Sequence, residues 1–204
     1  MRQGPEARAA RIARNFLALG LLTAALAGCA PMRAQNPEGA LRPVNAAADG
    51  ADARVMLQGA DVVAYFTTGS HQRGDPRFSS VHEQVTFRFA SAAHKALFDA
   101  DPERYLPRYG GYCANGIVYG IPWGGDADTW RIIDGRLYIF GGRASRDAFE
   151  LDVPRNRELA DRYWAQEVAG RHSFLQRAWR LVWRVPHYRS GEELAREVAR
   201  ARGS

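Results

Sequence analysis

Cysteine, lysine and long apolar runs are all scarce in this chain of 204 residues. Two cysteines, Cys29 and Cys113, and scattered histidines do not supply a structural zinc site, which needs four Cys or His ligands at close spacing. Lys95 is the single lysine, so the glycine-rich stretches lack the lysine of a phosphate-binding loop. No nucleophile motif with spaced His and Asp partners is present, and a hydrolytic enzyme therefore has little support.

The longest uncharged apolar stretch, residues 16–28, has thirteen residues, whereas a membrane span needs about twenty. Residues 1–15 before it carry four arginines and one glutamate. A basic stretch, a short apolar stretch and a small-residue cleavage site are typical of a secretory signal peptide. We therefore assign residues 1–28 to a signal peptide and not to a membrane-spanning helix.

The end of this segment, Leu26-Ala27-Gly28-Cys29, resembles the lipobox of bacterial lipoproteins. The resemblance implies cleavage before Cys29, a thioether-linked diacylglycerol on that cysteine and a further acyl chain such as palmitate on the new amino terminus. Ala30 occupies the position where an aspartate signals retention in the inner membrane. This favours the periplasmic face of the outer membrane. The alternative is an ordinary secretory signal in which Cys29 has no role.

The formal net charge is +6, and about +3 remains once residues 1–28 are removed. From Arg155 onwards the chain has eleven arginines against six acids, so the positive charge is concentrated near the carboxyl terminus. An exported lipoprotein is not expected to meet nucleic acid, although the basic balance alone would allow it. The predicted partner is a membrane, reached through the lipid on Cys29.

Composition divides the rest of the chain into three parts. Residues 29–54 are rich in Ala, Pro and Gly, and we interpret them as a flexible tether. Residues 55–152 contain short strands and helices and form the predicted globular domain. Residues 153–204 are predicted to be a basic, amphipathic helical extension.

Local patterns predict several elements of the domain. Alternation over residues 85–89 predicts a half-buried strand, and Ser91 is a predicted N-cap for the helix that follows. Asp101-Pro102 predicts the start of a second helical turn. The clearest signal is Asp134-Gly135 between two apolar runs, which predicts a tight β-hairpin.

The extension contains a helix over residues 174–184 with a broad apolar face. Two interpretations stay open: this face packs on the domain, which we favour, or it lies at a membrane interface with its tryptophans and arginines as anchors. Ser190 and Glu193 predict a capping box for a last helix.

Six runs of residues and Trp130 occur in an order and spacing that resemble a YHS domain of exported bacterial lipoproteins. The runs are Asp61-Val62-Val63-Ala64-Tyr65-Phe66, Phe87-Arg88-Phe89-Ala90-Ser91, Ala96-Leu97-Phe98, Asp101-Pro102-Glu103-Arg104-Tyr105-Leu106-Pro107, Gly110-Gly111-Tyr112-Cys113-Ala114 and Asp134-Gly135-Arg136-Leu137-Tyr138. The resemblance implies a small α+β domain with a β-hairpin and short helices, and it implies metal binding. Some members of this branch have selenocysteine at the position of Cys113, which implies redox chemistry there.

The chain departs from this family at the metal ligands. Metal-binding members have cysteines in the opening motif and in the Tyr-His-Ser segment, where this chain has Val62 or Val63 and the Phe89-Ala90-Ser91 run. We therefore do not transfer the metal site. Copper or zinc stays the cofactor considered, with Cys113, His82 and His94 as its candidate ligands.

Two functions follow from these observations. The first is thiol redox chemistry or soft-metal handling by Cys113, with Arg108, Tyr112 and a histidine as neighbours and a partner protein that supplies the resolving thiol. The second is a non-catalytic binding or scaffolding module of the envelope, in which Cys113 is buried and the basic carboxyl-terminal helices dock on a membrane or a partner. Whether the protein is an enzyme stays open.

Overall fold

The computed structural model describes residues 44–203, which form an α+β fold, as the sequence predicts. The predicted signal peptide, the lipidation site at Cys29 and the tether before Val44 lie outside the described residues. Among the residues described, no helix is both long and apolar enough to cross a bilayer.

The strands form a four-stranded sheet of order β1-β2-β4-β3 and a separate two-stranded hairpin, β5-β6. In the larger sheet β2 and β4 are parallel, and the other neighbours are antiparallel. The strands are β1 Ala46–Asp49, β2 Asp52–Met56, β3 Asp75–His82, β4 Val85–Phe89, β5 Asp126–Ile133 and β6 Arg136–Phe140.

Within residues 44–203, eight α-helices connect and follow these strands. They are α1 Ala64–Thr67, α2 Ala92–Ala100, α3 Pro102–Tyr105, α4 Ala114–Ile117, α5 Arg143–Glu150, α6 Val153–Tyr163, α7 Ser173–Val182 and α8 Gly191–Gly203. A wider helical turn, Trp164–Val168, extends α6, and a tight turn, Arg108–Gly111, precedes α4.

The local helix signals are confirmed. The Ser91 hydroxyl accepts a hydrogen bond from the backbone N–H of His94 at 3.1 Å and caps α2. Pro102 begins α3. Ser190 and Glu193 form the predicted capping box: the Glu193 N–H donates to the Ser190 hydroxyl at 3.3 Å, and the Ser190 N–H donates to the Glu193 carboxylate at 2.7 Å.

Strand β4 is buried on both faces, so the prediction of a half-buried strand is wrong. The alternating positions Thr86 and Arg88 are only 9% and 6% exposed. They are buried because β4 is a central strand, and the Arg88 guanidinium is neutralised by Asp49 and Asp52. Polar residues at alternating positions predict a solvent-exposed strand face only where no neighbouring element supplies a counter-charge.

The tether assignment also needs correction where the structure describes it. Residues 46–49 form β1, which pairs antiparallel with β2, and Ala46 is 1% exposed. The backbone of Asn45 donates to the carbonyl oxygen of Gly110 at 2.7 Å, which fixes the entry to this strand. Alanine-rich sequence has little apolar bulk, yet its backbone pairs as well as any other.

Two apolar cores stabilise the part of the chain that the structure describes. The first lies between the four-stranded sheet, α2 and the β5-β6 hairpin, and its large side chains include Phe87, Phe89 and Phe98. The second surrounds α4 and β6 and is shared with the extension. Its members from the extension are Ala160, Val168, Val185 and Leu194.

The β3–β4 and β5–β6 hairpin turns differ in their backbone strain. Both place two consecutive residues in the left-handed region: Asp134 (φ 48°) and Gly135 (φ 69°) between β5 and β6, and Glu83 (φ 47°) and Gln84 (φ 63°) between β3 and β4. The first pair confirms the predicted hairpin. A residue with a Cβ in this region costs about 1–2 kcal/mol. The β3–β4 turn therefore carries strain at its second position that Gly135 avoids in the other turn.

Replacing Gln84 by glycine should raise the free energy of unfolding by about 1 kcal/mol, because relief of strain exceeds the added entropy of the unfolded chain. Urea denaturation followed by circular dichroism measures the change. Gly135→Ala is the matched control: its new Cβ would meet no atom within 4 Å, so only backbone strain changes, and we expect a loss of about 1 kcal/mol. Equal free energies of unfolding for the wild type, the Gln84→Gly variant and the Gly135→Ala variant would contradict this account of the turns.

Candidate functional site

Cys113 is fixed in the interior by its backbone. Its N–H donates to the carbonyl oxygen of Trp123 at 2.9 Å, and the residue forms a parallel bridge with Ile139 of β6. It directly precedes α4, and only 3% of it is exposed. The segment at Trp123 and strand β6 bury Cys113 together. The glycine-rich sequence around Cys113 therefore does not predict that this residue is buried.

Burial raises the pKa of the Cys113 thiol above its ordinary value. The backbone N–H groups of Gly116 and Gly141 and the hydroxyl of Ser145 favour the thiolate, but they do not offset the loss of solvent. A reactive cysteine needs exposure and a lowered pKa. The structure provides neither condition, so the arrangement is that of a protonated, enclosed thiol.

Cys113 lines a cavity of about 170 Å³ to which the extension also contributes. Tyr188, Arg189 and Leu194 of the extension line it, together with Cys113 and Ser145. Arg189 is paired with Glu197 of α8, so its charge is already neutralised. The extension thus forms part of the wall of the space beside the thiol.

The two predicted neighbours of Cys113 point elsewhere. Arg108 pairs with Asp161 of α6, and its guanidinium carbon lies 5.2 Å from the centre of the Tyr109 ring. Tyr112 is completely buried, and burial raises its pKa, while a hydrogen bond with Ser173 of α7 acts in the opposite direction. Both side chains connect the domain to the extension.

His94 belongs to a network centred on a buried carboxylate. Asp61 is 0% exposed; its Oδ2 lies 2.6 Å from Nδ1 of His94 and accepts from the Ala90 N–H at 2.7 Å. Its Oδ1 accepts from the N–H of Val63 at 2.9 Å and caps α1. Nε2 of His94 lies 3.1 Å from the Thr67 hydroxyl. Both ring nitrogens of His94 are therefore occupied.

His82 lies in a different environment. Its ring meets those of Phe87 and Phe98 edge-on, and its Nε2 is 3.6 Å from the Glu103 carboxylate. Within residues 44–203, no group of three or more His, Cys, Asp or Glu side chains could hold a metal ion. The structure therefore does not bring Cys113, His82 and His94 together as a copper or zinc site.

Helix α7 presents its apolar side to solvent. Five large side chains are 43–67% exposed, and we call them the α7 apolar face: Leu175, Trp179, Leu181, Val182 and Trp183. The rings of Trp179 and Trp183 stack with centroids 4.0 Å apart. The prediction that this face packs on the domain is wrong.

The polar side of α7 packs inwards. Ser173, Gln176 and Arg177 are at most 5% exposed. The amide of Gln176 donates to the Gly120 carbonyl oxygen at 3.2 Å and to the Glu167 carboxylate at 3.1 Å. These acceptors lie under the helix, so polar side chains satisfy the buried surface and the apolar ones are left outside.

Cys113 should not react with a bulky maleimide in the folded chain and should react fully once urea is added, because the sulfur is enclosed. Mass spectrometry of a Cys29→Ser background, which leaves one thiol, measures the labelling. Val81 is 73% exposed, so Val81→Cys in a Cys29→Ser/Cys113→Ser background, which also has one thiol, is the reactive control. Equal labelling rates of the two folded proteins would show that Cys113 is accessible.

The raised pKa of Cys113 also predicts a dependence of stability on pH. As the pH rises, the unfolded chain ionises this thiol first, near its ordinary pKa of about 8.5. Above that pH, the free energy of unfolding of the wild type should therefore fall relative to that of Cys113→Ala, by at most about 1.4 kcal/mol per pH unit. Below that pH, the difference between the two proteins should stay constant. Urea unfolding at several pH values measures this. A constant difference would mean that the thiol ionises alike in both states.

The comparisons with known proteins supply no information about function, so a function has to be inferred from this geometry. No protein-family model, no curated protein and no solved structure matches the chain. The resemblance to a YHS domain therefore stays a prediction from the residues that carry it.

Proposed function

We propose that the protein is a lipid-anchored, non-catalytic binding module on the periplasmic face of the outer membrane, built on a YHS-like domain, and that its α7 apolar face docks on the lipid bilayer. The observation that carries this proposal is the orientation of α7, with apolar side chains outside and polar ones inside. A thiol function receives no support from a buried Cys113 with a raised pKa.

The composition of the α7 apolar face suits a lipid interface. Tryptophan is enriched where hydrocarbon meets headgroups, and Trp179 and Trp183 form one exposed aromatic pair. Exposed arginines flank the face, with Arg171 before α7 and Arg184 after it. Apolar anchors bordered by cations match an anionic bilayer surface.

The size of the face supports a contribution to docking that is useful but not sufficient alone. Full burial of one such side chain contributes about 1.5–3 kcal/mol, and these five are already about half buried. Their transfer into lipid therefore contributes roughly 5 kcal/mol before the cost of association. Stable attachment needs two signals, and the lipid on Cys29 is the second.

The proposed anchor is close enough in sequence to cooperate with the face. Fifteen residues lead from Cys29 to Val44, and such a segment reaches at most about 50 Å. A lipid at Cys29 therefore keeps the domain at a high local concentration above the membrane surface. A large fraction of the molecules then has the α7 apolar face in contact with the membrane, even if this contact is weak.

Substitutions on the face test this better than removal of the extension. Ala160, Val168 and Leu194 belong to the second core, so a chain without residues 155–204 would lose folded structure as well as the face. Exposed side chains can be changed without that loss.

We expect lipids with brominated acyl chains to quench the tryptophan emission of the full chain in vesicles that contain phosphatidylglycerol. Bromine in the hydrocarbon reaches Trp179 and Trp183 only if the face enters the bilayer. The variant Trp179→Phe/Trp183→Phe should lose most of the quenching. Fluorescence measured with and without brominated lipid gives the quenched fraction.

Trp123 is 40% exposed and lies outside the face, so Trp123→Phe is the matched control and should leave the quenched fraction nearly unchanged. An unquenched wild type, or equal loss of quenching in both variants, would contradict docking through α7. In that case a protein surface would be the better candidate to cover the face.

A further inference from the structure

We propose that a groove next to the α7 apolar face binds the phosphate of an anionic phospholipid, and that phosphatidylglycerol is the headgroup that fits it. This proposal rests on the docking of α7 on a bilayer and deepens it, because it names the lipid that the docked protein selects. The groove lies between α6 and residues 186–189, which follow α7.

The groove is close to the part of the chain that would meet the headgroups. Pro186 lines it and comes three residues after Trp183, the last member of the α7 apolar face. Three residues span at most about 11 Å, and the headgroup layer on each side of a bilayer is about 5–8 Å thick. A docked Trp183 at the edge of the hydrocarbon therefore brings the groove to the lipid phosphates.

The charge of the lining favours an anion. Arg155, His187 and Arg189 contribute to it, and no acidic side chain does. Arg189 is neutralised by Glu197, whereas Arg155 has no ion pair with any residue between 44 and 203. The Asp152 carboxylate accepts from the backbone N–H of Arg155 at 3.1 Å and caps α6, but it does not line the groove. Arg155 is thus an unpaired cation of this groove.

A second unpaired arginine stands beside the groove. The guanidinium carbon of Arg184 lies 4.5 Å from the centre of the Tyr188 ring, and Tyr188 lines the groove. Within the described part of the chain, no acid pairs with Arg184. Its contact with the ring restricts where this cation can lie, which lowers the entropy cost of binding. The planar guanidinium group also matches a phosphate through two parallel hydrogen bonds.

The wall formed by His187 is held in place before any lipid arrives. Its Nε2 lies 2.9 Å from the carbonyl oxygen of Val118, to which it donates. Its ring contacts the rings of Tyr119 and Tyr163, with centroids 5.7 Å away in both cases. These contacts connect the groove to α4 and α6, so its shape does not depend on the ligand.

Size and composition select the headgroup. The groove has a volume of about 310 Å³. A space of this size holds about twenty water-sized groups, and a phosphoglycerol group has about ten non-hydrogen atoms. Val118, Leu159 and Pro186 offer apolar surface to the glycerol carbons. Phosphatidylethanolamine and phosphatidylcholine carry an ammonium group that would meet no acid here, so a headgroup with net negative charge is favoured.

Quenching of the full, lipid-anchored chain by brominated lipid gives the ratio of docked to undocked molecules. We expect this ratio to be at least about fivefold higher in phosphatidylcholine vesicles that contain phosphatidylglycerol than in vesicles given the same charge by cholesteryl hemisuccinate, which has no phosphate. Arg155→Gln should lower the ratio on phosphatidylglycerol about fivefold and remove most of the preference. Arg184→Gln should act in the same direction.

Arg171→Gln is the matched control. It removes an equal charge at the other end of α7, and Arg171 does not line the groove. A general attraction to negative charge predicts equal effects of Arg171→Gln and Arg155→Gln. A phosphate site predicts that Arg171→Gln lowers docking on both kinds of vesicle alike and leaves the preference for phosphatidylglycerol unchanged. Circular dichroism confirms that each variant is folded.

A titration without a bilayer separates a lipid site from a site for free phosphate. Glycerophosphoglycerol, the headgroup without its acyl chains, should shift the NMR resonances of the Val118 and His187 amides of the full chain in a non-ionic detergent. It should bind several-fold more tightly than inorganic phosphate, because its glycerol carbons contact the apolar surface of the groove. Arg155→Gln should weaken the binding of both.

The outcomes distinguish this proposal from the docking of α7. An unquenched wild type would contradict docking, and the titration would still decide whether the groove binds the headgroup. A quenched wild type without a preference for phosphatidylglycerol, or an equal loss of preference in Arg155→Gln and Arg171→Gln, would overturn the groove site alone. Unchanged Val118 and His187 resonances would also overturn it. Tighter binding of inorganic phosphate than of glycerophosphoglycerol would overturn the assignment to a lipid.

Discussion

The buried carboxylate of Asp61 joins the start of α1 to the end of β4 and the start of α2, whose bonded residues Ala90 and His94 lie 29 and 33 residues further along the chain. It caps α1 through the Val63 N–H, ends β4 through the Ala90 N–H and orients α2 through His94. A fully buried carboxylate is tolerated only when donors surround it, and here each oxygen has at least two. The first core is arranged around this junction, because β4 and α2 supply Phe87, Phe89 and Phe98 to it.

The extension is a part of the fold and not an appendage. Its residues Ala160, Val168 and Leu194 complete a core whose other half comes from α4 and β6. Ion pairs reinforce the contact, including Arg108 with Asp161 and Asp134 with Arg157. This explains why the polar side of α7 faces inwards: Glu167 needs donors, and α7 supplies them.

Sequence predicts the features that depend on neighbours along the chain. The Asp134-Gly135 hairpin, the Ser91 cap and the Ser190 capping box each follow from a few adjacent residues, and each is present. Features that depend on distant partners were not predictable: the burial of Arg88 requires Asp49 and Asp52, and β1 requires β2 beside it. Periodicity shows that α7 is amphipathic but not which side faces the protein.

The burial of Cys113 limits the stage at which its thiol can be oxidised. Oxidants and disulfide-exchange catalysts act on an accessible thiolate, and the folded chain offers them none. The unfolded chain, with an ordinary thiol pKa, is open to them. In an oxidising compartment, the fraction of molecules that keep a free sulfhydryl is therefore set by a competition between the rate of folding and the rate of oxidation. A molecule oxidised before it folds has to place a larger, modified sulfur between α4 and β6, and so the redox state is fixed at the moment the second core closes.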